Sequence, residues 1–143
     1  MTPPRHSHRT AIQMRFSDTD ALGHLNNGSF AVYAEIARIE FLGLLGDTRR
    51  AMILARLEVD FRRQVHYGEA VEVETWIERV GTTSVTMRHV IWAAGAPAAD
   101  VRAVVVHFDY DAQRPRPWTT AQRDALQPYL DGDEGSPPSR ASA

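Results

Sequence analysis

The side chains with the most obvious chemistry fall in one short stretch, Phe16-Ser17-Asp18-Thr19-Asp20-Ala21-Leu22-Gly23-His24-Leu25-Asn26-Asn27-Gly28. It holds carboxylates at Asp18 and Asp20, an imidazole at His24, amides at Asn26 and Asn27, and a glycine at Gly23. A carboxylate can act as general base or as nucleophile. An Asn at a helix start satisfies one of the orphan backbone donors there, so Asn26 or Asn27 is a natural N-cap. The remaining free N–H groups and the positive end of the helix dipole favour negative charge. A base or nucleophile and an anion-stabilising helix end thus share one loop, which reads as the active site.

The elements around this loop must hold it. Upstream, from about Arg9 to Phe16, apolar and polar residues alternate, with Ile12, Met14 and Phe16 on one side; this is a strand. Downstream, Phe30, Tyr33, Ala34, Ala37, Phe41, Leu44 and Leu45 recur at helical spacing. Val32, Ile36, Ile39 and Leu42 fill most of the remaining circumference and leave mainly Glu35, Arg38 and Glu40 polar. The predicted helix runs to about Leu45 and stops at Gly46. A helix apolar on nearly every side must be buried on nearly every side. Four alternating runs follow: Leu57 to Val65, Val71 to Ile77, Val85 to Ile91, and Val101 to Tyr110. The last is apolar on both faces, as a central strand is. Gly81-Thr82-Thr83 and Ala94-Gly95-Ala96-Pro97 read as turns, and the short connections predict an antiparallel meander. Arg114-Pro115-Arg116-Pro117 breaks the pattern, and a short helix is expected from about Thr120 to Leu130. The fold class is α+β: a curved antiparallel five-stranded sheet around one long helix, with a second subunit completing its burial. Residues 1–9 and 131–143 have the composition of disordered tails around a domain of residues 10–130.

Bulk composition narrows the function. The chain has 143 residues, enough for one domain with a modest core. A net charge of −2 gives no nucleic-acid footprint. All sixteen basic residues are Arg. There is no Cys, which excludes disulfides, thiol nucleophiles and Cys-ligated zinc. The N-terminus lacks a signal-peptide core, and no apolar run approaches the about 18 residues of a membrane span, so a cytoplasmic protein is expected. His6 and His8 form an H-x-H pair without further ligands nearby, and no metal or cofactor is expected. G-x-S-x-G, G-x-G-x-x-G and P-loop motifs are absent.

The segment Arg15 to Asn27 resembles the signature of the hotdog-fold acyl-CoA thioesterases of the 4-hydroxybenzoyl-CoA thioesterase family. The order strand, helix, four strands fits that fold, and the resemblance covers roughly residues 10–112. A looser second element, Val59-Asp60-Phe61-Arg62-Arg63-Gln64-Val65-His66-Tyr67-Gly68-Glu69, is similar to the family's next strand and turn, with Gln64 where Pro is common and Glu69 where Asp is common. The resemblance implies that Asp20 is the catalytic carboxylate and that the backbone N–H of Asn27 polarises the thioester carbonyl. Asp18, Gly23, His24 and Asn26 are supporting motif positions. It further implies acyl-CoA or acyl-carrier-protein thioesters as substrates, and homodimers or homotetramers with sites at subunit interfaces.

Thioester hydrolysis adds water to a carbonyl, directly or through an acyl-enzyme anhydride, and the sequence leaves both routes open for Asp20. Asp18 is near enough to replace it, but reads as a turn or interface residue. His24 serves either water orientation or structural hydrogen bonding. Arg62, Arg63, Arg88, Arg114 and Arg116 are candidates by charge for CoA phosphates. Tyr33, Trp76, Trp92 and Phe108 are candidate pocket or core aromatics. Two alternatives compete: an enoyl-thioester hydratase or dehydratase on the same fold, and a non-catalytic acyl-thioester-binding module.

Overall fold

The computed structural model describes residues 3–4, 6–46 and 51–132. The elements are β1 (His8–Ile12), α1 (Asn27–Leu42), β2 (Met52–Phe61), β3 (Val71–Val80), β4 (Ser84–Ala93), β5 (Ala96–Asp109), β6 (Arg114–Pro115) and α2 (Thr120–Leu126). All the pairings between strands are antiparallel, in the order β1-β3-β4-β5-β2, and the two-residue β6 adds to β5. The sheet curls around α1, and this is the hotdog fold.

The meander covers only β3, β4 and β5. β2 pairs with β5 instead of with β3, Phe61 standing opposite Ala99. Both edges of β3 are taken, by β1 and β4, so the edge left for β2 is the free one of β5. The chain after Phe61 crosses beneath the end of β5, where the N–H groups of Arg62 and Arg63 donate to the Ala98 carbonyl (2.8 and 3.2 Å). The first strand also differs from expectation. It begins at His8 and stops at Ile12; Phe16–Asp18 close a 3-10 turn, and Phe16 is 74% exposed. His8 leaves the expected tail and reaches Glu40 (3.0 Å), which also accepts from Thr10. The expected tail at 131–143 lies, beyond Gly132, outside the described residues.

α1 packs mainly on β1, β3 and β4. Phe30, Tyr33, Ala34 and Ala37 meet Val71, Val73, Ile91 and Val101 in one cluster; Phe41 and Leu42 meet Ile77, Met87, Val105 and Leu126 in another. Burial of such side chains contributes roughly 1.5–3 kcal/mol each. The helix leans away from β2, and two cavities open along that seam. Within one chain its burial is incomplete: Val32, Ile36 and Ile39 each remain 44% exposed. Conversely Arg38, expected on a polar stripe, is only 7% exposed. A 3-10 turn over Gly43–Leu45 follows, and Gly46 (φ 87°) ends it. At the far end α2 begins on a reciprocal Thr119–Gln122 capping box, and Leu126 and Tyr129 plug the second cluster.

Candidate active site

Asp18 fastens the loop to the helix. Its carboxylate is buried; Oδ2 accepts the Arg15 N–H (3.0 Å) and the Tyr33 hydroxyl (2.8 Å), and Oδ1 takes the Arg15 guanidinium (3.0 Å). The Arg15 N–H, then the Tyr33 hydroxyl and the Arg15 charge, hold this carboxyl below its ordinary value despite burial. Burial and the adjacent carboxylate in turn push the Tyr33 phenol up. The Asp18 carbonyl accepts the Asn26 N–H (2.9 Å) and the Ser29 hydroxyl (2.8 Å), pinning the first turn of α1. Both carboxylate oxygens being engaged, Asp18 is a structural tie.

Asp20 is in the opposite condition. Residues 19–25 fold into a narrow turn through a bridge between Thr19 and Leu25 and a bond from the Asp20 N–H to the His24 carbonyl (2.7 Å). Gly23 makes the reversal with φ 79°, open to glycine without strain. The Asp20 side chain closes on the same turn: Oδ1 accepts the N–H of His24 (3.0 Å) and of Leu22 (2.8 Å). These two donors, His24 first, lower its pKa. Oδ2 takes no bond from any described residue, and the residue is exposed. The result is an ionised carboxylate, fixed in orientation by one oxygen and open at the other.

The helix start is the second part. Asn26 is the N-cap, its Oδ1 accepting the Gly28 N–H (2.9 Å), and the Ser29 N–H returns to the Asn26 carbonyl (2.9 Å). The Asn27 N–H, first in the helix, has no acceptor among the described residues. Asn27 also lines a cavity of about 230 Å3, together with Leu25, Phe30, Phe61, Arg62, Arg63 and Gln64. The loop is braced from below. The Leu25 N–H donates to the Val65 carbonyl (2.7 Å) and the Tyr67 N–H to the Gly23 carbonyl (3.1 Å). The His24 and His66 rings meet edge to face with centroids 4.9 Å apart. Glu69 accepts the His66 N–H and the Arg63 guanidinium (both 3.1 Å).

The structure thus gathers Asp18, Asp20, Gly23, His24, Asn26 and Asn27 along one loop and helix start and separates their conditions. Of the arginines, Arg62 and Arg63 border the cavity, paired with Asp100 and Glu69. Arg88 lies on the sheet's outer face beside Glu78 (3.2 Å), Arg114 is in β6, and Arg116 donates to His107 Nε2 (3.0 Å). Tyr33 and Trp76 are core residues, while Trp92 donates to Glu74 (3.0 Å). Three partners escape a reading of the sequence: Tyr33 as the Asp18 donor, Phe61 as a cavity wall, and His66 as the brace of His24. Only Phe61 and His66 leave a signal, by lying in the second motif-like element. Among the described residues no group of His, Asp and Glu is arranged to hold a metal ion, and no helix is long and apolar enough to cross a membrane.

The sequence profile of the thioesterase-like superfamily matches residues 14–126, the loop, the helix and the whole sheet beyond β1. The chain belongs to the thioesterase-like superfamily. Its reaction class is therefore thioester hydrolysis. Among solved structures, this thioesterase-like chain is similar to a predicted thioesterase from Bacillus stearothermophilus. The two are 37% identical, with a TM-score of 0.82, covering 87% of this chain and 96% of that one. It is also similar to a thioesterase from Thermus thermophilus complexed with coenzyme A and Zn, at 33% identity and TM-score 0.78, covering 83% and 90%. YneP of Bacillus subtilis, which carries a provisional acyl-CoA thioesterase designation, is 28% identical over 120 residues, covering 78% of this chain and 86% of YneP.

Proposed function

We propose that the protein is an acyl-CoA thioesterase in which Asp20 supplies the base or nucleophile and the Asn27 N–H polarises the substrate carbonyl. One observation carries this reading: an ionised carboxylate with a free oxygen lies in the turn that leads directly into the unpaired amide end of α1. Oxygen adds to the thioester carbon, from water deprotonated by Asp20 or from Asp20 itself. Charge develops on the carbonyl oxygen, where helix-start donors are most useful. The C–S bond then breaks and the thiolate leaves; in the base route it takes the proton that Asp20 removed from water, and in the anhydride route it takes the proton released when water hydrolyses the anhydride. In the anhydride route a water then cleaves the acyl–Asp20 bond and restores the carboxylate. The coenzyme A in the Thermus structure supports CoA as the carrier.

Release of free thiol from a panel of short, long and aryl acyl-CoAs tests the assignment. Asp20→Asn should lower kcat by about a hundredfold or more, the range for losing a base. Undiminished turnover in that variant removes Asp20 from the mechanism. Loss of enoyl absorbance from crotonyl-CoA with the thioester intact would favour hydration instead. We also propose a homodimer, in which a second copy covers the half-exposed Val32, Ile36 and Ile39 of α1.

A further inference from the structure

The α1–β2 seam holds a second cavity, of about 180 Å3, beyond the one at the helix start. Its walls are Ile39, Leu42, Met52, Leu54 and Val105, with Glu35 at the rim. Arg38 lines it too. This guanidinium is in an unusual condition. The residue is 7% exposed, its Nη1 is wholly buried without a hydrogen-bond partner, and it forms no ion pair with a described residue. Glu35, one turn earlier, acts on it only through its charge. An unpaired buried cation costs several kcal/mol, so such a group marks a place where an anion is received.

The helix sets the direction from which that anion comes. Asn27 and Arg38 are eleven residues apart, about three full turns, so they lie on the same face roughly 16 Å apart along the axis. Both cavities are bounded by α1 on one side and β2 on the other, Phe61 at the Asn27 end and Met52 and Leu54 at the Arg38 end. One seam therefore has a helix-start amide beside one cavity and, about three turns on, a buried arginine without an ion-pair partner among the described residues beside the other. A cavity of about 150 Å3 takes a benzene-sized molecule, so this one takes a carboxylate and a few methylenes.

We propose that the Arg38 cavity receives a carboxylate borne on an apolar chain, and that the preferred substrates are acyl thioesters carrying a second carboxylate at the far end of the acyl group. The substrate part rests on the thioesterase reading above. A free fatty carboxylate has the same chemistry and would occupy the same cavity as a product-like ligand.

The test compares tetradecanedioyl-CoA with tetradecanoyl-CoA on the full chain, and calorimetric binding of tetradecanoate with tetradecan-1-ol. A charge-assisted bond to Arg38 predicts about ten- to a hundredfold lower KM for the dicarboxylic thioester. It also predicts tighter binding of the carboxylate than of the alcohol. Arg38→Met should abolish both preferences, and Arg38→Gln provides the same comparison if the Met variant fails to fold. Leu54→Trp, which fills the cavity and keeps the arginine, should weaken tetradecanoate binding. Equal KM values for the two thioesters in the wild type overturn the substrate assignment. Equal binding of acid and alcohol, or preferences unchanged in the Arg38 variants, overturn the carboxylate site. Absence of thiol release from either thioester counts against the thioesterase reading alone, since the binding arm still decides the site.

Discussion

Asp18 and Asp20, two positions apart, show how completely local hydrogen bonding divides identical side chains. Asp18 commits both oxygens to Arg15 and Tyr33, whereas Asp20 commits one to its own turn. Asp18→Asn should therefore destabilise the protein by about 2–4 kcal/mol, since the Arg15 donors and the buried Tyr33 hydroxyl lose a charged acceptor. Tyr33→Phe should cost about 1–2 kcal/mol, with the double variant less than additive in urea titrations. The pH dependence follows from the lowered Asp18 pKa. Its contribution to stability is complete above the unfolded-state value, near 3.9, and is lost as pH falls through the lower folded value. His89 acts in a different window. Its ring is fully buried, Nδ1 meets the Thr75 hydroxyl at 2.8 Å, and burial, reinforced by the Arg38 charge, depresses its pKa to about 3. Unfolding lets it bind a proton below about 6.5, so stability should decline from there toward pH 3, by up to about 5 kcal/mol. Urea midpoints measured across pH 3–7 should show a shallower decline in His89→Asn. The chemical character of the loop was legible from residue types alone. The fastening role of Asp18 was not, because its partner Tyr33 is brought to it only by the folded path of the intervening turn.

Among the elements, the β4–β5 hairpin carries a local conflict. Its turn residues, Ala94 and Gly95, both have positive φ (48° and 78°), the combination favoured by Asn-Gly. Ala meets a steric penalty there that Asn largely avoids. Ala94→Asn should raise stability by about 0.5–1 kcal/mol, seen as a higher Tm without change in turnover. The helix makes the converse case. Its all-round apolar pattern announces burial that one chain provides on one side only, with Val32, Ile36 and Ile39 left half-exposed. If a second copy covers them, Ile36→Glu should reduce the sedimenting mass to that of a monomer. Strand existence was readable from alternation, yet the place of β2 was not. Sequence proximity favours pairing with β3, but β1 and β4 occupy both edges of β3 and leave β2 the far edge, beside β5. The end of β1 departs from the alternation for a related reason. Phe16 continues the pattern, but its ring leaves the core and meets Tyr67 edge to face at 5.6 Å.

For the whole molecule, the pairing order separates what is local from what is distant. β3, β4 and β5 join through tight turns, while β1 places His8 opposite Thr75 and β2 places Met52 opposite His107. Loop-closure entropy penalises the two outer pairings, so the three-strand meander is expected to form first and the outer strands to close later. The candidate catalytic loop hangs between β1 and α1, and its brace lies just beyond β2. Native-state hydrogen exchange should then find the slowest amides in β3–β5, with those of Leu25 and Tyr67 released at lower free energy. A nascent chain of this protein would be a folded sheet before it was an enzyme. A truncation or stress that frees β1 would silence the protein while most of its hydrogen-bonded framework still stood.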